Sequence, residues 1–363
     1  MEYVQERIAT LHDYGNAHPR APTDRASVVV PMTERDHATL AAERVFGTLA
    51  DVDPGRVVVA LRASPEAIPG ILTWLEDFEL ETTVLWCTAT AVEDALADSG
   101  ITVSAGKGRD VWLALGIAAD AEYVVVHDAD ATNYAATHVP KLLYPIANGY
   151  DFTKGYYARV ENRRLYGRLA RLFIAPLLRA LQATHAAPIL EYLAAFRYPL
   201  SGEFALTGEL ATQIRAQPGW GLELGSLGEA FEHAGFGGSA QVDLGVHKHE
   251  HRAVAGPDGL GDMATEVGEA LLRAVVDHGL EPDLDAIRPA YVRAAEALID
   301  QYAVDAAFNG LEYDPVAERD QVDRYAEAIA PLGTDCRLPA WETAPIDPDV
   351  IAARSADAIA AER

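Results

Sequence analysis

The chain has 363 residues, a formal net charge of −26, a pI near 4.7 and a hydrophobic fraction of 50%. This length and composition suit a folded protein with a sizeable core, and the negative charge excludes nonspecific binding to nucleic acid or anionic lipid. Its two cysteines give neither a disulfide framework nor a metal cluster, and we expect a cytoplasmic protein without a signal peptide or membrane span.

Most of the basic residues are arginines. The four lysines are Lys107, Lys141, Lys154 and Lys248. An acid-rich, lysine-poor surface predicts a halophilic source, although an acidic cytosolic protein from another source would share this bias.

The first half of the chain alternates strand and helix patterns. A short helix is predicted over residues 2–14, followed by a polar connector to residue 24. The predicted strands are 27–31, 56–61, 82–86 and 123–126, and the predicted helices are 34–49, 65–78 and 110–119. Strands alternating with helices predict a parallel sheet with covered faces, so residues 25–135 should form a nucleotide-binding α/β half.

The pattern changes in the second half. Residues 136–262 are predicted to contain helices 137–148, 161–182, 207–216 and 222–234, an extended segment at 150–157 and a strand at 240–246. The helix at 161–182 is rich in arginine and should be interrupted at Pro176. Residues 263–363 should form a helical extension with an acidic tail from 338, acting as a buttress or as an oligomer contact.

Two carboxylates, Asp128 and Asp130, follow the apolar run 121–126. They should emerge at the carboxyl edge of the sheet, where open α/β folds bind ligands. Aspartate oxygens suit a divalent ion that bridges substrate phosphates, but acidic turns after strands also cap helices.

Two further turns could contact a nucleotide. Residues 104–109 place Lys107 between two glycines before a helix, an arrangement that suits phosphate, although a plain loop would look the same. Residues 31–34 end a strand with a proline and a short acidic turn. This turn could close over a nucleotide base, or it could simply mark the boundary between a strand and a helix.

Two later segments could complete a site. Histidines alternate at 247, 249 and 251, as in runs that bind metal, although a solvated loop is equally compatible. Glu223 lies in a Gly-rich turn at 219–225, where it could accept hydrogen bonds from substrate hydroxyls or cap a helix.

Together these segments resemble the glucosyl-3-phosphoglycerate and mannosyl-3-phosphoglycerate synthases over residues 25–265. The resemblance implies an α/β architecture of the GT-A type, a Rossmann-like nucleotide-binding glycosyltransferase fold, here with a C-terminal helical extension. It implies a retaining, metal-dependent transfer of glucose or mannose from a UDP- or GDP-hexose to 3-phosphoglycerate or a similar small anion. Mg²⁺ or Mn²⁺ would be the cofactor, a compatible solute the product class and a homodimer the expected assembly.

The resemblance also implies roles for single residues. The metal ligands would be Asp130 and His249, and the catalytic residues Glu223 and Lys107. Donor contacts would come from Pro31, Met32, Thr33, Glu34, Gly106, Lys107, Asp128 and Ala129. Acceptor contacts would come from Gly167, Arg168 and Arg164. Arg163 and Arg171 extend this basic patch, which helical ion pairs with surface acids would also explain.

The chain departs from the family pattern at two places. Residues 60–64 read Ala-Leu-Arg-Ala-Ser where the glucosyl enzymes carry an Asp-Ser-Gly-Ser-type segment, so a guanosine donor stays open. Ala170 replaces the acceptor-binding threonine, so the acceptor could be another small anion.

Two other functions fit parts of the same pattern. A sugar-phosphate nucleotidyltransferase also joins a nucleotide fold to phosphates and a metal. An inactive nucleotide-sugar-binding protein would keep the fold without turnover.

Overall fold

The computed structural model describes residues 5–246, 248 and 256–363, and its centre is a mixed sheet. The strands are β1 (Ala9–Leu11), β2 (Ala26–Thr33), β3 (Arg56–Arg62), β4 (Thr82–Trp86), β5 (Tyr123–Val126), β6 (Phe152–Ala158), β7 (Val160–Glu161), β8 (Arg164–Leu165), β9 (Phe204–Thr207) and β10 (Ser239–Val246). Within the described residues, eight of these strands form one sheet in the order β1-β10-β6-β9-β5-β2-β3-β4. Strand β9 runs antiparallel to both of its neighbours, and β7 pairs with β8 in a separate hairpin.

Helices pack against this sheet and extend beyond it. They are α1 (Leu40–Val52), α2 (Ile68–Glu76), α3 (Thr90–Asp98), α4 (Lys107–Ala118), α5 (His138–Ile146), α6 (Ala175–Thr184), α7 (Pro188–Ala195), α8 (Gly208–Gln213), α9 (Leu222–His233), α10 (Gly256–Asp277), α11 (Leu284–Phe308), α12 (Pro315–Glu327) and α13 (Pro348–Glu362). A π-helical segment, Leu169–Ile174, runs directly into α6.

The predicted strands of the first half are confirmed. The valine runs of β2, β3 and β5 are fully buried, as expected for central strands covered on both faces. Helix α1 begins at Leu40 rather than at residue 34, and α3 and α7 were not predicted. Because strands from both halves join the same sheet, the predicted boundary at residue 135 divides the chain within one sheet.

The first predicted element is wrong. Residues 9–11 form β1, which pairs in parallel with β10, whereas a helix was predicted over 2–14. Ile8 and Thr10 are buried against this distant partner, so tertiary pairing overrides the local helical pattern. Residues 1–4 lie outside the described residues.

The Arg-rich segment 161–182 begins as a hairpin instead of a helix. Strands β7 and β8 are joined by Asn162 and Arg163, whose φ angles of 47° and 60° form a tight turn that suits paired strands. The helical geometry does change next to Pro176, because the π-helical segment ends at Ile174 and the proline lies in the first turn of α6, where a missing N–H disturbs little.

The acidic tail from residue 338 is folded against the first half. The Trp112 and Trp341 rings stack with centroids 4.1 Å apart, and each indole nitrogen donates a hydrogen bond to a backbone carbonyl. Helix α13 packs on α3 and on β4, where the Ser355 hydroxyl accepts a hydrogen bond of 2.7 Å from the backbone nitrogen of Trp86. The edge of the sheet at β4 is therefore covered by the C-terminal helix.

The other C-terminal helices support the segment that follows the hairpin. Helix α11 packs against α6, and α12 packs against α11 and the π-helical segment. These contacts are compatible with the predicted buttress, while a role in an oligomer contact stays a prediction.

Candidate active site

The predicted nucleoside loop, residues 31–34, lies at the carboxyl end of β2 and is held by two sets of hydrogen bonds. The Asp36 carboxylate accepts from the backbone nitrogen and hydroxyl of Thr33 at 2.7 and 2.8 Å. The Glu34 carboxylate accepts two bonds of 2.9 Å from Ser64, which follows β3, and these bonds lower its pKa. The loop is thus tied to the neighbouring strand end before any ligand binds.

Arg62 ends β3 within the segment that departs from the family pattern. Its Nε atom donates a hydrogen bond of 2.9 Å to Asp110, which lies in the first turn of α4. Burial raises the pKa of Asp110 to about 6, although Arg62 acts to lower it. This edge of the site therefore carries an ion pair in which Asp110 is buried and Arg62 is half-buried.

Gly106 and Gly108 allow the start of α4 to approach another backbone. A Cβ atom at Gly108 would lie 1.8 Å from the carbonyl oxygen of Gln217, and one at Gly106 would lie 2.6 Å from that of Pro218. The backbone nitrogen of Arg109 also donates to the Pro218 carbonyl at 2.9 Å. The glycines therefore have a packing role, and the contact of Gly106 with a donor stays a prediction.

Lys107 joins two distant carboxylates. Its Nζ atom lies 2.6 Å from Asp128 Oδ1, after β5, and 2.7 Å from Glu223 Oε1, in the first turn of α9. The three side chains are mostly buried, with exposed fractions of 21%, 22% and 10%. The structure thus brings together three of the residues that the sequence assigned to donor binding and catalysis.

The ionisation of this group follows from burial and from excess negative charge. Burial acts to lower the pKa of Lys107, but Asp128 and Glu223 raise it further, so the lysine stays charged. Burial raises the pKa of Asp128 to about 6; Lys107 opposes this shift, and nearby carboxylates add to it.

Asp130 lines the same cavity as Asp128, and the buried Ala129 lies between them in sequence. The carboxylate of Asp128 fits against Gly202, where a Cβ atom would lie 2.3 Å from Oδ2. Both Asp130 and the buried Glu203 raise the pKa of Asp128. Four carboxylates therefore share this region with Lys107 and Lys154.

The histidine segment begins beside the acidic turn. The Thr132 backbone nitrogen donates to the Lys248 carbonyl, and the Lys248 nitrogen donates to the Asn133 side chain, both at 2.8 Å. Residues 247, 249 and 251, including the predicted metal ligand His249, lie outside the described residues.

Lys154 is buried beneath this site without an ion pair among the residues that the structure describes. Its Nζ atom lies 3.4 Å from the Glu223 carbonyl oxygen and 5.1 Å from the centre of the Phe204 ring. Burial lowers its pKa from 10.5 to about 8. Below pH 8 the folded state must hold this lysine in its charged form, which lowers the free energy of unfolding. This loss of stability disappears as the pH rises from 8 to 10.5.

Replacing Lys154 by methionine should stabilise the protein at pH 7 by up to about 3 kcal/mol, and the gain should shrink above pH 8. Denaturant unfolding of both proteins between pH 7 and 10 measures this. Lys141 is the matched control, because this buried lysine is paired with Asp13 at 2.7 Å and its methionine variant should be destabilised. Equal destabilisation of both variants at pH 7 would contradict the prediction.

The cavity beside Lys107 measures about 690 Å³ and continues to the hairpin segment. Gly167, with φ of 72°, turns the chain after β8, and Arg164, Gly167 and Arg168 line the cavity. Ala170 lines it as well. The predicted acceptor residues therefore share one cavity with Lys107, Asp128, Asp130 and Glu223.

The basic patch is partly neutralised by the C-terminal extension. Glu318 on α12 accepts two bonds of 3.0 Å from Arg171 and lies 3.5 Å from Arg168 Nε. Arg164 pairs with Glu312 at 2.9 Å. The ion-pair interpretation therefore holds for Arg171 and Arg164, while Arg168 is 45% exposed and lines the cavity.

Sequence reasoning missed several cavity residues. Arg159 follows β6, and the Tyr157 and Tyr198 rings have centroids 4.9 Å apart and planes tilted by 40°. The half-exposed Trp220 lies near Glu223 in sequence. The Tyr-Tyr-Ala-Arg pattern at 156–159 is the only sequence signal for Arg159, and it belongs to no motif.

Two features are absent from the described ranges. No group of three or more histidine, cysteine, aspartate or glutamate side chains among the residues placed by the structure could hold a metal ion. No helix in those ranges has the length and apolar character needed to cross a membrane.

Comparisons with known proteins give relatives of one kind, while no protein-family model matches the chain. The glucosyl-3-phosphoglycerate synthase of Methanococcoides burtonii is 34% identical over 95% of this chain and 94% of its own length. That of Persephonella marina is 35% identical over 76% of this chain and 72% of its own length.

Solved structures of the glucosyl-3-phosphoglycerate synthase of Mycobacterium tuberculosis share the fold. A complex with Mn²⁺, UDP-glucose and phosphoglyceric acid is 26% identical, with a TM-score of 0.57 over 76% of this chain and 89% of that one. A complex with Mg²⁺ and UDP is 26% identical, with a TM-score of 0.56 over 76% and 88%. These matches confirm the GT-A fold that the sequence predicted.

Proposed function

The chain belongs to the glucosyl-3-phosphoglycerate synthase family of glycosyltransferases, and we propose that it transfers glucose from UDP-glucose to the free hydroxyl of 3-phosphoglycerate. The observation that carries this proposal is a single cavity lined by two chemically different groups of residues, an acidic group around Lys107 and a group of arginines. The first group holds Lys107 between Asp128 and Glu223, and the second includes the exposed arginine Arg168. A cavity of about 690 Å³ is large enough for a hexose between the two.

The donor would lie along the carboxyl ends of β2 and β5. Residues 31–34 would contact the nucleoside, and Asp128 and Ala129 would lie near the ribose. Lys107 would place a fixed positive charge where the leaving diphosphate gains negative charge. Membership of the family supports a uridine donor. At the position where the glucosyl enzymes carry the aspartate that contacts the base, this chain would present the Arg62–Asp110 ion pair to the nucleobase.

The residues around Lys107 fit a hard divalent cation. Four carboxylates share the region with two lysines; burial raises the pKa of Asp128, and repulsion from the other carboxylates adds to this rise. Oxygen ligands of this kind suit Mg²⁺ or Mn²⁺. Asp130 and His249 would hold the ion, and the backbone contacts of Lys248 with residues 132–133 support this pairing. A bound ion would supply Lewis-acid neutralisation of the diphosphate.

The acceptor would lie beside the arginine group of the cavity. Gly167 and Arg168 would contact its phosphate, with Arg164 contributing charge. Ala170 removes the hydroxyl that the family places here, so the chain must hold the acceptor with fewer polar groups on this helix.

We further propose that the transfer retains the α-configuration. Glu223 is held by Lys107 at 2.7 Å, which suits a group that orients the sugar rather than a free nucleophile. The acceptor hydroxyl would then attack from the face of the departing diphosphate, whose oxygen would accept the proton.

Incubation with UDP-glucose, Mn²⁺ and 3-phosphoglycerate should yield UDP and a glucosylated phosphoglycerate, resolved by mass spectrometry and by NMR of the anomeric proton. GDP-mannose serves as the matched donor. UDP with Mn²⁺ should also raise the melting temperature, since a ligand that binds only the folded state stabilises it. Absence of product with every donor, together with no stabilisation by either nucleotide, would refute the proposal.

The cellular setting and assembly are proposals as well. The free thiols Cys87 and Cys336 support a cytoplasmic enzyme. Val304 and Phe308 are 72% and 88% exposed near the end of α11, which supports a homodimer. The acidic, lysine-poor composition supports a halophilic source and a product used as a compatible solute. Light scattering in low and high salt would test assembly, and a monomer in both would refute the dimer.

A further inference from the structure

Arg159 forms part of the wall that carries the Gly167 turn. It follows β6, lines the cavity, and donates from Nη1 to the Tyr198 hydroxyl at 3.5 Å. A Cβ atom at Gly167 would lie 3.2 Å from the Tyr198 hydroxyl oxygen and 3.8 Å from Arg159 Cδ. Arg159, Tyr198 and the predicted acceptor turn are therefore one contiguous surface.

Among the described residues, this arginine differs from its basic neighbours in forming no ion pair, although the nearby Glu161 carboxylate acts to raise its pKa. Arg164 pairs with Glu312, and both Arg168 and Arg171 approach Glu318. Arg159 forms no ion pair with any residue in the described ranges, and its Nε atom is buried there without a hydrogen-bond partner. A buried cationic donor without a partner is costly unless an anion from outside completes it.

The two anionic groups of 3-phosphoglycerate differ in charge and shape. The phosphate approaches two negative charges and is best left in the more hydrated position, beside the 45% exposed Arg168. The carboxylate carries one charge, costs less to bury, and matches the planar fork of a guanidinium. The Tyr198 hydroxyl, within reach of Arg159, would be a second donor to the same carboxylate.

From this arrangement we infer that Arg159 is a specificity-determining residue that binds the carboxylate of the acceptor, while Arg168 binds its phosphate. The inference rests on the proposed function and assigns a residue that the family motif does not include. It also accounts for the tolerance of alanine at position 170, because the half-buried Arg159 and the Tyr198 hydroxyl supply the hydrogen-bond donors that an alanine side chain lacks.

The test compares 3-phosphoglycerate with glycerol 3-phosphate, which keeps the phosphate and lacks the carboxylate. In Arg159→Gln, the KM for 3-phosphoglycerate should rise by about 30- to 100-fold, while the inhibition constant of glycerol 3-phosphate changes by less than about threefold. The KM for UDP-glucose should stay unchanged. Arg159→Lys keeps the charge without the fork and should fall between the wild type and the glutamine variant.

Arg179→Gln is the matched control, since this exposed arginine lies on α6 and does not line the cavity. Equal weakening of both ligands in Arg159→Gln would overturn the assignment of the carboxylate, and unchanged kinetics would overturn any role in acceptor binding. Melting temperatures of all variants show whether they are folded. The proposed function is judged separately, by whether the wild type forms product from 3-phosphoglycerate at all.

Discussion

Replacing Asp130 by alanine should lower glucosyl transfer by about three orders of magnitude while leaving the fold intact. Asp130 lines the cavity at the end of the sheet, so its removal leaves no hydrophobic void and takes away the carboxylate that we propose as a ligand of the metal ion. Stabilisation by UDP should lose its dependence on Mn²⁺ in this variant, whereas weak binding of UDP alone should persist. Initial-rate assays and thermal shifts with and without Mn²⁺ measure both effects.

Asp98→Ala is a suitable control because Asp98 is an exposed acid at the end of α3 and does not line the cavity. It changes the net charge by the same amount and should leave turnover within about twofold of the wild type. Full activity of Asp130→Ala, or an unaltered effect of Mn²⁺ on UDP binding, would remove Asp130 from the metal site.

Replacing Lys107 by methionine should lower turnover by about two to three orders of magnitude and also destabilise the fold. The lysine contacts Asp128 at 2.6 Å and Glu223 at 2.7 Å, so its loss leaves two largely buried carboxylates facing each other. About one fifth of each lysine and aspartate side chain is exposed, which limits the cost to roughly 2 kcal/mol. Steady-state kinetics and denaturant unfolding measure the two effects.

Glu223→Gln separates these contributions. Alone it keeps the shape of the side chain and removes its charge, so it should reduce turnover with little loss of stability. In the Lys107→Met background the same change should restore part of the lost stability, because it removes one of the two repelling carboxylates. Strictly additive stability changes would show that Lys107 and Glu223 do not interact in solution.

The strands of the first half could be predicted because their signals are local. Runs such as Val57–Val59 and Val124–Val126 are β-branched and fully buried, so composition and burial agree. Strand β1 could not be predicted in this way, since its partner residues begin at Ala240 and three residues give no period. The hairpin at Asn162 and Arg163 was obscured by arginines spaced as on a helix.

The active site likewise has a part that the sequence could predict and a part that it could not. The resemblance assigned Lys107, Asp128 and Glu223 to donor binding and catalysis. Only the fold shows that Lys107 contacts both carboxylates, although Glu223 lies 116 positions further along the chain. Arg159 had no motif to reveal it, because its importance depends on forming no ion pair within the described residues while neighbouring arginines form theirs. Whether an arginine forms an ion pair with an acidic residue depends on tertiary packing and cannot be predicted from the sequence.

Helix α13, which covers the edge strand β4, is synthesised long after that strand. The hydrogen bond between Trp86 and Ser355 joins residues 269 positions apart, so β4 leaves the ribosome long before its cover exists. During that interval its edge is open to strands of other nascent chains. The opposite edge waits as well, since β1 needs β10, and Thr10 and Gln241 are 231 positions apart. The two edge strands of this sheet are therefore the last to be completed during folding.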